Sequence, residues 1–148
     1  MPYLRITGPD VDASRRRAIA ASLTDAVVEL WYDRRAPLTK DELRERTTIH
    51  FAPYGSDELF IGARTPDERG VSDVTVELSD WGMTPRRQRR VARLLTPLLA
   101  TLFGVAPDAV DNVNIRFHPY PPTDFAVGGR LLSDRIPLIG RVMKTLAG

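Results

Sequence analysis

Two six-residue stretches carry the side chains best suited to meeting a small polar ligand. Ile49-His50-Phe51-Ala52-Pro53-Tyr54 and Ile115-Arg116-Phe117-His118-Pro119-Tyr120 both read I-x-F-x-P-Y. The second position is His50 in one copy and Arg116 in the other. One is an imidazole that changes charge near neutral pH; the other is a guanidinium fork that fits a carboxylate. Asn114, two residues before Arg116, shares its strand face and adds a neutral hydrogen-bond donor. Each has a plainer reading: a structural histidine, an interface ion pair, a polar strand residue.

Other chemistry is excluded or weakly signalled. The chain has no cysteine, which rules out thiol nucleophiles, disulfides and cysteine-ligated metals. Two histidines cannot build a histidine-rich metal site, and Asp108, Asp111 and Asp124 lack a metal-ligand spacing, so no metal is expected. The run Arg86-Arg87-Gln88-Arg89-Arg90, followed by Arg93, is the densest basic cluster. Such clusters can bind nucleic acid, but this one opens an amphipathic helix, where its charges are expected to face solvent. With a formal net charge of only +2 in 148 residues, no nucleic-acid partner is expected. The N-terminus lacks the basic and apolar regions of a signal peptide. No apolar run approaches the ~20 residues of a membrane span. The expected location is the cytoplasm.

The elements that position these residues are written twice. In the gapless register of the two motifs, residues 57–64 fall on 123–130, and both end in an apolar residue, Gly, a small residue and Arg. Before each motif lies an alternating strand, Tyr3–Thr7 and Val74–Leu78, followed by a helix. The first helix runs from about Ser14 to Trp31, capped by Asp12 or Ser14, with Ile19, Leu23, Val27 and Leu30 at helical spacing. The second is capped by Thr84, carries Pro85 at its first position, and ends at Gly104 after Phe103. Pro97 should kink or interrupt it. Residues 80–83 read as the turn between strand and helix, and residues 34–45 as a long loop.

A strand-helix-strand unit pairs its strands in parallel by a right-handed crossover. Two such units predict one α/β domain: a four-stranded sheet with both helices on one face. Repeat one spans about 2–64, the linker about 65–72 and repeat two about 73–130. A tail helix is expected over about 134–147. The uncovered face, bearing Thr48, His50, Asn114, Arg116 and His118, should meet another subunit or line a cavity.

Two fused β-α-β units with a proline directly after the initiator methionine resemble the tautomerase superfamily. The opening MPYLRITGP is similar to that of 4-oxalocrotonate tautomerase and its fused relatives, as is Phe125-Ala126-Val127-Gly128-Gly129. The stretch 106–121 also resembles the final strand region of macrophage migration inhibitory factor. The likeness covers roughly residues 2–130.

It implies that Met1 is removed and that the Pro2 amine is the catalytic base and acid. It also implies that Phe125 lines the pocket, that no cofactor is needed, and that the chain assembles as a homotrimer. The reaction implied is keto–enol isomerisation of a small 2-oxo or 2-hydroxy acid, with Arg116, Asn114 and His50 as substrate-binding candidates. An α-amino group titrates near 8. An apolar pocket and nearby arginines would lower that value and poise the amine as a base near neutrality. Other chemistries that the resemblance implies are decarboxylation, hydration with dehalogenation, or a step in a biosynthetic pathway. A ligand- or protein-binding oligomer without activity is a further reading, and for Pro2 itself the plainer one is a strand-leading proline at a sheet edge. The sequence departs from the pattern in its arginines: the turn Pro9-Asp10-Val11-Asp12 and the second-copy turn Asp80-Trp81-Gly82-Met83 carry none of the arginine found there in 4-oxalocrotonate tautomerase, and Asn114 stands where a second family arginine falls, with Arg116 two residues on.

Overall fold

Alternation of apolar and polar residues builds the first strand, β1 (Tyr3–Thr7), with Leu4 and Ile6 buried and Tyr3 and Arg5 facing out. The computed structural model describes residues 1–135. Asp12, in an extended conformation, accepts the Arg15 amide at 2.8 Å and starts helix α1 (Ala13–Trp31). That bond satisfies one of the amides that a helix start leaves without a partner. The apolar stripe of α1, including Ile19, Leu23 and Val27, is buried on the sheet. A short helix α2 (Lys40–Glu45) then leads into strand β2 (Thr48–Phe51).

The second unit follows a one-turn helix α3 (Pro66–Arg69): strand β3 (Val74–Trp81), helix α4 (Pro85–Phe103) and strand β4 (Val113–Tyr120). The sheet order is β2-β1-β3-β4, with β1/β2 and β3/β4 parallel and the central β1/β3 pair antiparallel. Both long helices pack on one face, as their shared core with the strands shows. Val74, Val76 and Leu78 share one core with Val91, Leu95 and Leu99, all fully buried. Each such leucine contributes about 1.5–3 kcal/mol by leaving water. Among the described residues no helix is long and apolar enough to cross a membrane.

The described residues end with a two-residue-turn hairpin of β5 (Ala126–Val127) and β6 (Arg130–Leu131), then helix α5 (Leu132–Arg135). Gly128 and Gly129 both have positive φ, +57° and +75°. That pair of angles makes the turn whose twist matches a hairpin, and glycine adopts it without steric cost. The repeat reproduces it in the first unit, where Gly62 and Ala63 have φ of 59° and 60° between bridged Ile61 and Arg64.

Four local expectations change. Residues 80 and 81 are strand, not turn: Asp80 pairs with Pro119 and Trp81 with Tyr120, so β3 outlasts its apolar alternation. The long loop at 34–45 contains α2, whose Thr39–Glu42 capping box was readable as T-x-x-E. The linker contains α3, capped in the same way by Thr65 and Glu68. Helix α4 is not interrupted at Pro97, which lies on its exposed side, where solvent can take the carbonyl of Arg93 left without a backbone donor. The expected tail helix lies outside the described residues, apart from its start.

Candidate active site

The antiparallel register sets the geometry of the N-terminus. Tyr3 stands opposite Ser79, so the next pair outward is Pro2 with Asp80. Both carry even numbers on strands whose even residues face the helices, and both are buried. The Pro2 carbonyl accepts the Thr48 amide at 2.9 Å, which fixes the chain start between β2 and β3.

Asp80 is 2% exposed. It sits where the V-x-V-x-L alternation of β3 calls for a fourth apolar side chain. A buried carboxylate must be paired to be tolerated, and Asp80 is paired twice. Its Oδ1 accepts from the Met1 ammonium at 2.5 Å, and its Oδ2 accepts from the indole Nε1 of Trp31 at 2.5 Å. Trp31 is the last residue of α1, so the helix end, the strand end and the chain start converge on one carboxylate. The Met1 side chain is 36% exposed, so the chain start lies at the rim and the carboxylate behind it.

Tyr120 closes the same end of the sheet. Burial pushes its phenol up to about 12, and the negative charge of Asp80 acts in the same direction. The hydroxyl therefore stays protonated at any physiological pH and is available as a hydrogen-bond donor. Phe125 stacks on the Tyr120 ring, centroids 5.4 Å apart. The loop after β4 thus brings Phe125 to the end of the sheet that holds Pro2.

Arg116, Asn114 and His50 lie elsewhere in the chain. They stand exposed on the uncovered face. Arg116 is opposite Glu77, which faces Arg5, which faces His50, in one row across the sheet. Asn114 lies one row further from the chain start, opposite Thr75. Glu77 meets Arg5 at 3.7 Å and His118 at 3.8 Å, and His50 Nδ1 shares a 2.6 Å hydrogen bond with the Tyr3 hydroxyl. Arg116 is three residues along β4 from the Pro2 row, about 10 Å at strand spacing, and on the opposite face. A single chain therefore brings Pro2 and Phe125 to one end and leaves Arg116, Asn114 and His50 on the open face.

Sequence reasoning did not single out Asp80, Trp31 or Tyr120. Asp80 carried a usable signal, a charge at an inward position of an otherwise apolar alternation. Tyr120 is the closing residue of the repeated motif. Trp31 carried none, because its partner is 49 residues away.

No family model matches the sequence, and no curated protein matches it. Solved structures do match in fold. One is a protein inactivated by 2-oxo-3-pentynoate, 13% identical, with a TM-score of 0.70 over 89% of this chain and 98% of that one. Another is a fused 4-OT solved as an asymmetric trimer, 17% identical, with a TM-score of 0.69 over 90% and 98%. A third is a member of the cis-3-chloroacrylic acid dehalogenase family, 19% identical, with a TM-score of 0.66 over 90% and 88%. The chain has the fold of the tautomerase superfamily.

Proposed function

We propose that this chain is a cofactor-independent tautomerase: it moves a proton between carbon and oxygen in a small 2-oxo or 2-hydroxy acid. The Pro2 amine, freed by removal of Met1, is the proton carrier. The observation that supports this most is the buried carboxylate of Asp80 facing the chain start.

That carboxylate changes the electrostatics from those of a neutral base in an apolar pocket. An anion beside an amine favours the ammonium form. In its ammonium form the amine would act first as an acid. In ketonisation of an enol, it gives its proton to carbon while the enol O–H proton is released and returns to nitrogen, which balances charge and atoms. The Tyr120 hydroxyl, held protonated, would donate to the oxygen on which negative charge develops, and Phe125 would form the apolar wall beside it.

Arg116 and Asn114, with His50, would hold the substrate carboxylate. They could do so only across a subunit boundary, with the open face of one copy meeting the chain start of another. The fused 4-OT solved as a trimer supports such an assembly, and the homotrimer is proposed here on that basis. A location in the cytoplasm is proposed with it. The same Asp80 favours a second reading, decarboxylation or hydration, in which an ammonium paired with a carboxylate protonates a carbanion or enolate formed by another step.

The test is intact mass, then turnover of an enol of a 2-oxo acid by the wild type and by Pro2→Ala. A mass without Met1 and a loss of about 10²–10⁴-fold in Pro2→Ala is expected, the range for a positioned proton carrier. A retained Met1, or turnover indifferent to Pro2→Ala, would overturn the reading.

A further inference from the structure

The strongest charge feature of the molecule lies away from the open face. A groove of about 960 Å3 runs between the end of α1 and the first half of α4. Arg34, Arg86, Arg87, Arg89, Arg90 and Arg93 line it, with Asp33 as its only acidic side chain. Six positive charges against one negative leave an excess of five. The whole chain carries +2, so the remainder is at −3, and positive charge is concentrated here. None of the six arginines forms an ion pair among the described residues, whereas Arg5, Arg16, Lys40 and Arg44 all do.

This arrangement works against the helix that carries most of it. Positive charge is unfavourable in a first helical turn, and like charges three or four residues apart repel. Helix α4 has no acidic residue in its first turn, and the pairs Arg86/Arg90 and Arg89/Arg93 both stand at i,i+4. A helix selected for stability alone would carry acids there. An anionic ligand reverses the sign of every one of these terms.

We propose that the groove is a binding site for a small oligophosphate ester, such as a nucleoside di- or triphosphate. A local excess of five charges calls for several negative charges in a small volume, which a chain of phosphates supplies. Guanidinium forks match phosphate oxygens, and the volume lies in the range of small-molecule sites. Tyr32, exposed beside Trp31 on the groove wall, has the Lys40 ammonium 5.3 Å from its ring centroid, a further cation at the edge of the groove. Arg87 already stacks over the Trp31 ring, 5.7 Å from its centroid. The indole whose ring lines the groove is the one whose N–H holds Asp80, so a ligand here touches the support of the chain start. The site rests on the fold and on these arginines, independently of the amine chemistry.

The test is calorimetric titration of the full chain with inorganic triphosphate and, separately, with a 12-residue single-stranded oligonucleotide. The variants are Arg86→Glu/Arg90→Glu, Arg90→Gln and, outside the groove on α1, Arg17→Glu. Triphosphate should bind, more weakly as salt rises. Affinity should fall about 10-fold in Arg90→Gln and about 100-fold or more in the double variant, and stay within about 2-fold in Arg17→Glu. Melting of the double variant should rise by about 1–3 °C, because Arg86→Glu puts an acid in the first turn and Arg90→Glu turns repulsion with Arg87 and Arg93 into attraction. No heat with triphosphate, equal weakening by Arg17→Glu, or an oligonucleotide bound far more tightly than triphosphate would overturn the proposal. None of these readouts depends on turnover, so such a failure leaves the tautomerase reading standing.

Discussion

Replacing Asp80 by asparagine keeps the shape of the side chain and removes its charge. In the chain that retains Met1, one oxygen accepts from the Met1 ammonium and the other from the Trp31 indole, both at 2.5 Å. Asparagine can accept one of these and turns an N–H toward the other donor. The loss is one charge-assisted hydrogen bond, about 1.5–3 kcal/mol, plus the penalty for a buried donor left without an acceptor, about 1–3 kcal/mol. Met1 is partly exposed, so its ammonium recovers part of this from water, which brings the expected cost to about 2–4 kcal/mol. For a chain of this size that lowers Tm by on the order of 10 °C.

Urea unfolding measures it directly, with Trp31→Phe and the double variant completing a cycle. Phenylalanine removes the N–H that Asp80 accepts, so Asp80→Asn should cost less in that background, with a coupling of about 1 kcal/mol or more. Asp80→Asn within about 0.5 kcal/mol of wild type, or a cycle additive to within about 0.3 kcal/mol, would refute the claim that this carboxylate ties the helix end to the chain start.

Two further outcomes follow from local geometry. Tyr120 and Tyr54 are both pushed above the usual phenol range, chiefly by burial, Tyr120 to about 12. Absorbance at 295 nm should therefore show two of the four tyrosines ionising later than free tyrosine. Because the folded state keeps a proton that the unfolded state loses above pH ~10, the contribution is fully present below pH 10. Stability should fall as pH rises from 10 toward 12; two late phenols missing from the titration curve would contradict the burial argument. Thr39→Ala removes the side-chain acceptor of the capping box of α2, in which the Glu42 amide lies 3.1 Å from Thr39 Oγ1. It should cost about 1 kcal/mol in urea unfolding, and an unchanged midpoint would show that tertiary packing holds α2 without its cap.

The sequence by itself determined the architecture. The I-x-F-x-P-Y repeat, the alternating strands and the caps at Asp12, Thr84 and Gly104 lead to two β-α-β units with helices on one face, because these signals are local and their periods differ. It also determined that a glycine-bearing turn closes each unit. The antiparallel register of β1 on β3 was decided only by the tertiary structure, and that register places Pro2 opposite Asp80. No local pattern encodes it, since it depends on which strand edges remain free once both parallel pairs have formed.

The same limit explains the site. Pro2, Phe125, Arg116, Asn114 and His50 were readable as candidates from position and resemblance. That the first two share one end while the other three lie on the opposite face follows from strand parity and register together. Asp80 looked like a turn residue because aspartate favours turns. It became strand because Trp31 and the chain ammonium, distant in sequence, supplied the two donors that let a charge be buried.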